Sequence, residues 1–99
     1  MPSGAQGYVY TPVGFQQLVC SGGTAAAVGL TVPNAARVAD ISVEGGGGNV
    51  RYRDDGTDPT SSVGMVVSGG TVVAYSSQLT AVKLISTSGS VTVDVSYYR

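Results

Sequence analysis

The sequence predicts an all-β protein: an antiparallel two-sheet β-sandwich, jelly-roll-like in its wiring, with eight or nine short strands. Three observations predict it. At the C-terminal end Val91, Val93, Val95 and Tyr97 alternate with Thr92, Asp94, Ser96 and Tyr98, a period of two that gives a strand one apolar and one polar face. Short segments rich in Val, Thr and Tyr recur along the chain, divided by clusters of Gly, Ser, Pro and Asn. There is also an internal echo. Arg37-Val38-Ala39-Asp40-Ile41-Ser42 answers Ala81-Val82-Lys83-Leu84-Ile85-Ser86, and Val50-Arg51-Tyr52 answers Val95-Ser96-Tyr97, as if two similar antiparallel halves were joined.

Taken in order, strands are predicted near Gly7 to Thr11, Phe15 to Cys20, Ala27 to Val32, Val38 to Glu44, Asn49 to Arg53, Gly64 to Val67, Thr71 to Tyr75, Ala81 to Thr87 and Ser90 to Tyr98. Turn chemistry separates them: Ser21-Gly22-Gly23, Pro33-Asn34, Gly45 to Gly48, Asp54 to Pro59, Ser68-Gly69-Gly70, Ser76-Ser77 and Ser88-Gly89. Ser68-Gly69-Gly70-Thr71 and Thr87-Ser88-Gly89-Ser90 read as tight hairpins, because glycine supplies the positive φ that two-residue turns demand. Only Ala35-Ala36-Arg37 and Ser77-Gln78-Leu79 have room for a helical turn.

Ninety-nine residues make one domain over 1–99, with a flexible N-terminal arm over about residues 1–7. By the surface scaling of folded monomers a 9.9 kDa chain exposes roughly 5,200 Å². With 42% hydrophobic and 11% charged residues, its surface must be made largely of Ser, Thr, Gly and Tyr. Disorder needs low hydrophobicity or high net charge, and here the mean hydropathy is +0.21 and the net charge -1. Five Lys and Arg provide no basic stripe for phosphates, and the pI of about 4.9 has the wrong sign, so nucleic acid is not an expected partner. Without His, and with Cys20 as the only thiol, the chain cannot build a multi-ligand zinc site, an internal disulfide or a His-dependent nucleophilic site. Cys20 reads as a small buried hydrophobe. Met1 to Gly7 has neither the basic nor the apolar region of a signal peptide, and no apolar run reaches membrane-spanning length. Synthesis in the cytoplasm, with no membrane partner, is the expectation.

The charges are unevenly placed. Arg51, Arg53, Asp54, Asp55 and Asp58 put five of the eleven charged residues into one eight-residue stretch, with Arg51 and Arg53 on one strand face. Three readings fit it. One is a solvated strand end with local Arg–Asp pairing and an Asx-type turn. Another is a contact between subunits, in which the Arg face meets carboxylates of a neighbouring chain. The last is a calcium loop with Asp54, Asp55 and Asp58 as ligands, although the spacing is not that of an EF-hand and no bidentate Glu closes it.

Asp40, Glu44 and Asp94 alternate with apolar neighbours and are expected to face solvent from the outside of a sheet. Carboxylate-pair catalysis needs a deep cleft that a sandwich of this size has little room for, so neither catalytic residues nor a cofactor are expected. The Gly45-Gly46-Gly47-Gly48 run lacks the Lys-Ser/Thr and the helix of a phosphate cradle and reads as a flexible loop tip. Tyr8 and Tyr10 share one strand face, while Tyr97 and Tyr98 point to opposite faces, leaving Tyr98 as the outward member for an interface.

The segment Val50-Arg51-Tyr52-Arg53-Asp54-Asp55-Gly56-Thr57-Asp58-Pro59-Thr60, followed by Val63-Gly64-Met65 and by the closing Ser96-Tyr97-Tyr98, resembles a family of small tailed-bacteriophage virion proteins. Its members read Val-Arg-aromatic-Arg-Asp-Asp-Gly-Thr-x-Pro-Thr, then Gly-Met, and end in an aromatic pair. The likeness covers roughly the C-terminal half, and Met1 to Ala27 does not share it. It implies a structural virion protein on the capsid exterior, a decoration or cement protein. Such a protein binds the major capsid protein as a homo-oligomer, a trimer by preference. A neck or tail adaptor, or a fibre-associated module, is the alternative; a glycan-binding sandwich using outward Tyr faces is a third.

Overall fold

The computed structural model of the chain describes residues 10–23, 25–46 and 48–99. Eight strands follow in order: β1 (Pro12–Ser21), β2 (Val28–Gly29), β3 (Val38–Val43), β4 (Val50–Arg53), β5 (Met65–Val67), β6 (Val72–Tyr75), β7 (Lys83–Ser86) and β8 (Ser90–Tyr98). They form two four-stranded antiparallel sheets, β1-β8-β3-β6 and β2-β7-β4-β5. The chain passes from sheet to sheet at every connection but one, which is jelly-roll wiring. Advancing each strand number by four turns β1-β8-β3-β6 into β5-β4-β7-β2, the second sheet read backwards. The echoed segments lie on strands related in this way, β3 with β7 and β4 with β8.

Alternation places the core. Leu18 and Cys20 from β1, the odd-numbered residues Val91 to Tyr97 of β8, and Ala39, Ile41 and Val43 of β3 meet Val50, Val67 and Leu84 from the second sheet and Val82 just before β7. Cys20 is fully buried, and burial pushes its thiol up to about 11. Tyr97 also points inward; its hydroxyl, pushed up to about 12 by burial, donates to Gln16 Oε1 at 2.8 Å. The same Gln16 amide accepts from Thr31 N at 3.0 Å, tying β1 to the connection between β2 and β3. The accessible surface of 5367 Å² is close to that of a folded monomer of this mass.

Four expectations change. Ser68–Thr71 closes a β-turn, with Thr71 N on Ser68 O at 3.2 Å, but β5 and β6 lie in different sheets. The Thr87–Ser90 turn likewise carries the chain from β7 to β8 across the sandwich. Both are corners rather than hairpins, because the strands they join find longer partners elsewhere. β6 pairs with β3, and β8 pairs with β1 and β3. The strand expected over Ala27 to Val32 contracts to Val28–Gly29, since the chain turns toward Gln16. Of the two helical turns, Ala35 adopts φ 68, outside the helical region, and the other is a 3₁₀ turn shifted to Leu79–Ala81. Asp40, expected in solvent, is 5% exposed. It lies on the central strand β3 with Ser96 and Ala74 on either side, and alternation indicates its face but not what surrounds it.

Candidate functional site

The single connection within one sheet joins β4 to β5, and it carries the charged stretch. Val50 and Tyr52 turn toward the core, so Arg51 and Arg53 stand together on the outer face of the second sheet, as the spacing predicts. Their roles diverge. The Arg51 guanidinium donates from Nε to Ser61 O at 3.2 Å and from Nη1 to Gly64 O at 2.9 Å, pinning the far end of the loop. Arg53 forms a two-pronged pair with Asp55, Nε to Oδ1 at 3.0 Å and Nη2 to Oδ2 at 2.5 Å.

The loop is folded back onto the sheet. A Cβ on Gly64 would lie 3.0 Å from Arg51 Cβ and 3.2 Å from Pro59 Cβ, so only a glycine passes between them, and its φ of +145° suits no other residue. Pro59 is buried, and Ile85, which pairs with Arg51 and stays outside the main core, is only 3% exposed. The loop has its own internal bonds. Asp55 Oδ1 accepts from Thr57 N at 3.3 Å, an Asx turn, and the Thr60 hydroxyl accepts from Ser62 N at 3.2 Å and Val63 N at 3.0 Å.

The remaining carboxylates have other partners. The Tyr75 hydroxyl, on β6 of the first sheet, donates to Asp54 Oδ2. The Tyr75 ring meets Tyr52 edge-on, centroids 6.1 Å apart, so the two tyrosines bridge the sheets beneath the loop. Burial first, and the Asp54 carboxylate second, raise the Tyr75 hydroxyl above its ordinary pKa. Asp58 sits 3.7 Å from Lys83 Nζ. The three carboxylates thus turn to three different partners, and among the described residues no group of three or more His, Cys, Asp or Glu is placed to hold a metal ion.

The two arginines and three carboxylates of the stretch leave it one negative charge, which Lys83 on β7 offsets beside Asp58, and near it Val63, Met65 and Val66 are 53%, 62% and 49% exposed. A shallow pocket of about 340 Å³ opens beside Val63 and Met65, lined also by Tyr52, Arg53, Asp54, Asp55 and Gly64, while Val66 lies on the other face of β5 opposite Arg51. Sequence reading quoted Val63 and Met65 only as part of the phage-like motif and placed neither them nor Val66 among the site residues. Their signal was the consecutive apolar residues Met65-Val66-Val67, which put an apolar side chain on each face of one short strand. No protein-family model and no curated protein matches the chain.

Of the expected tyrosines, Tyr8 lies outside the described residues, as does the N-terminal arm over residues 1–7. Tyr10 is half-buried, and Tyr98, on the face opposite Tyr97, is 9% exposed and offers a partner its edge only.

Acid separates the Asp55 carboxylate of the site from Glu44, which lies outside it after β3. Arg53 holds Asp55 below the usual carboxylate range, so the pair stabilises the fold above the ordinary carboxylate pKa and is lost as pH falls through the lowered one. Glu44 is raised by hydrogen bonding and repulsion from Asp94, so its protonation on acidification relieves the fold instead. Asp55→Asn is expected to lower the urea midpoint slightly at neutral pH and to leave it unchanged once pH is below the Asp55 pKa. A deficit that persists in acid would show that the pair is not its source.

Proposed function

We propose that this chain is a structural virion protein of a tailed bacteriophage, which decorates the capsid and stabilises it by binding the major capsid protein as a homo-oligomer. The observation that carries the reading is the β4–β5 hairpin. The residues of the phage-like motif converge there to brace a loop whose charges are mostly paired, with Val63 and Met65 exposed at its edge. An apolar patch rimmed by satisfied polar groups suits docking to a protein surface. Many modest contacts of this kind, repeated over a shell, give high avidity. The protein acts in this reading by adhesion, without catalysis or a cofactor, on the exterior of the virion.

The test is co-sedimentation of the purified protein with capsids that lack it. Binding is expected, and Met65→Asp, a change at an exposed position, is expected to weaken it while leaving the thermal midpoint in place. Failure of the unaltered protein to bind removes the reading. Copy number in the virion tests the location: hundreds for a decoration protein, about a dozen or fewer for a neck or tail adaptor.

A further inference from the structure

We propose that β1 is the pairing edge for a second copy of this chain, joined antiparallel about a twofold axis through Gln17 so that the two four-stranded sheets become one of eight strands. The edges of the two sheets are β1, β6, β2 and β5. Three are short, with four, two and three residues. Brevity is one of the ways natural proteins blunt an edge. β1 is ten residues long, contains no charged residue, has its proline at the first position and its register shift confined to Pro12/Gly14. Among the described residues no strand pairs with its outer edge, and from Gly14 onward its ladder is regular.

The sequence of that edge selects the occupant. On its outward face β1 carries Phe15, 67% exposed, and Val19, 59% exposed, with Gln17 between them. A twofold perpendicular to the sheet keeps outward residues opposite outward residues, so the two paired residue numbers must sum to an even value. A sum of 34 sets Gln17 against the second copy's Gln17 and Phe15 against its Val19, twice over, with Gly14 to Cys20 fully paired. Shifting by one step either way sets Phe15 or Val19 against Gln17, and larger shifts shorten the ladder. An aromatic facing a β-branched side chain is a favourable cross-strand pair.

Charge raises no objection. Gln17 Nε2 already donates to Asp94 Oδ1 of its own β8 at 2.8 Å, so two neutral amides separate the two Asp94 carboxylates. Those carboxylates would stand three strand spacings apart, about 14 Å, which is beyond the Debye length at physiological salt. A single strand pair belongs to the smaller class of interfaces, so association depends on concentration and is strengthened where copies are held close together. The association is twofold, in place of the trimer that the phage resemblance implies, and it stands independently of the capsid reading.

Sedimentation equilibrium of the full chain over a concentration series tests it. The mass is expected to rise from 9.9 kDa toward twice that value. Phe15→Lys with Val19→Lys places like charges opposite each other and is expected to weaken the dimer by about tenfold or more. Phe15→Lys with Val19→Glu places opposite charges in the same positions and is expected to restore it. Under mild oxidation Gln17→Cys is expected to cross-link to itself, and Val19→Cys is not, because only residue 17 lies on the axis. Circular dichroism and the thermal midpoint verify that each variant is folded. A monomer at every concentration, a trimer, equal behaviour of the two double variants, or self-cross-linking at residue 19 instead of 17 overturns the proposal.

Discussion

Gly69→Ala is expected to destabilise the protein by about 2–3 kcal/mol, the cost of forcing an extra carbon into a filled space, and to lower the thermal midpoint by roughly 10–20 °C for a domain of this size. Gly69 sits in the corner between β5 and β6, where its N–H donates to Asn49 Oδ1 at 3.1 Å. A Cβ there would lie 2.5 Å from Gly48 O and 3.4 Å from Glu44 O, both backbone atoms that cannot rotate aside. The Asn49 carbonyl meanwhile accepts from Thr87 N at 3.0 Å, so one residue joins the corners at this end of the sandwich. Gly70→Ala is the informative comparison. Gly70 has space around it and loses only its φ of +85°, so its cost should be smaller. Equal losses in a urea titration would mean that backbone conformation, not crowding, governs the corner.

Arg51→Ala is expected to cost about 2 kcal/mol, within the range for hydrogen bonds to a charged donor. Most of that loss should appear as opening of the loop. The guanidinium holds two carbonyls of the loop at once, Ser61 O and Gly64 O, and its stem covers the strand beside Ile85. Arg51→Lys should recover less than half of the loss, because an ammonium cannot reproduce the planar fork that reaches both carbonyls. Hydrogen exchange at 60–64 should accelerate in Arg51→Ala and remain near its original rate in Arg53→Ala, which breaks only an exposed pair with Asp55. If both variants loosen the loop equally, the clamp is not Arg51. In the capsid reading Arg51→Ala also weakens binding, since the apolar edge at Val63 and Met65 loses its fixed shape.

These contrasts show where sequence reading succeeds. Period-2 alternation is local, so β8 and β3 were legible almost to the residue, and the burial of Cys20 followed from the strand it ends. The shared face of Arg51 and Arg53 was legible for the same reason. Their different partners were not: Arg53 meets a carboxylate two residues away, whereas Arg51 reaches carbonyls ten and thirteen residues on. The bridge from Tyr52 to Tyr75 and on to Asp54 joins opposite sheets, and no spacing along the chain announces it.

By itself, then, the sequence determined the class of the fold, the position of most strands, which side chains face inward, and the shared face of Arg51 and Arg53. Each of those depends on neighbours one or two residues apart, where strand geometry leaves few choices. Tertiary structure alone decided which sheet each strand joins, because Ser-Gly-Gly chemistry serves a corner as well as a hairpin. It alone buried Asp40 on a face that alternation assigns to the outside. It also left β1 as the long open edge, because edge status is a property of sheet order and not of the strand itself.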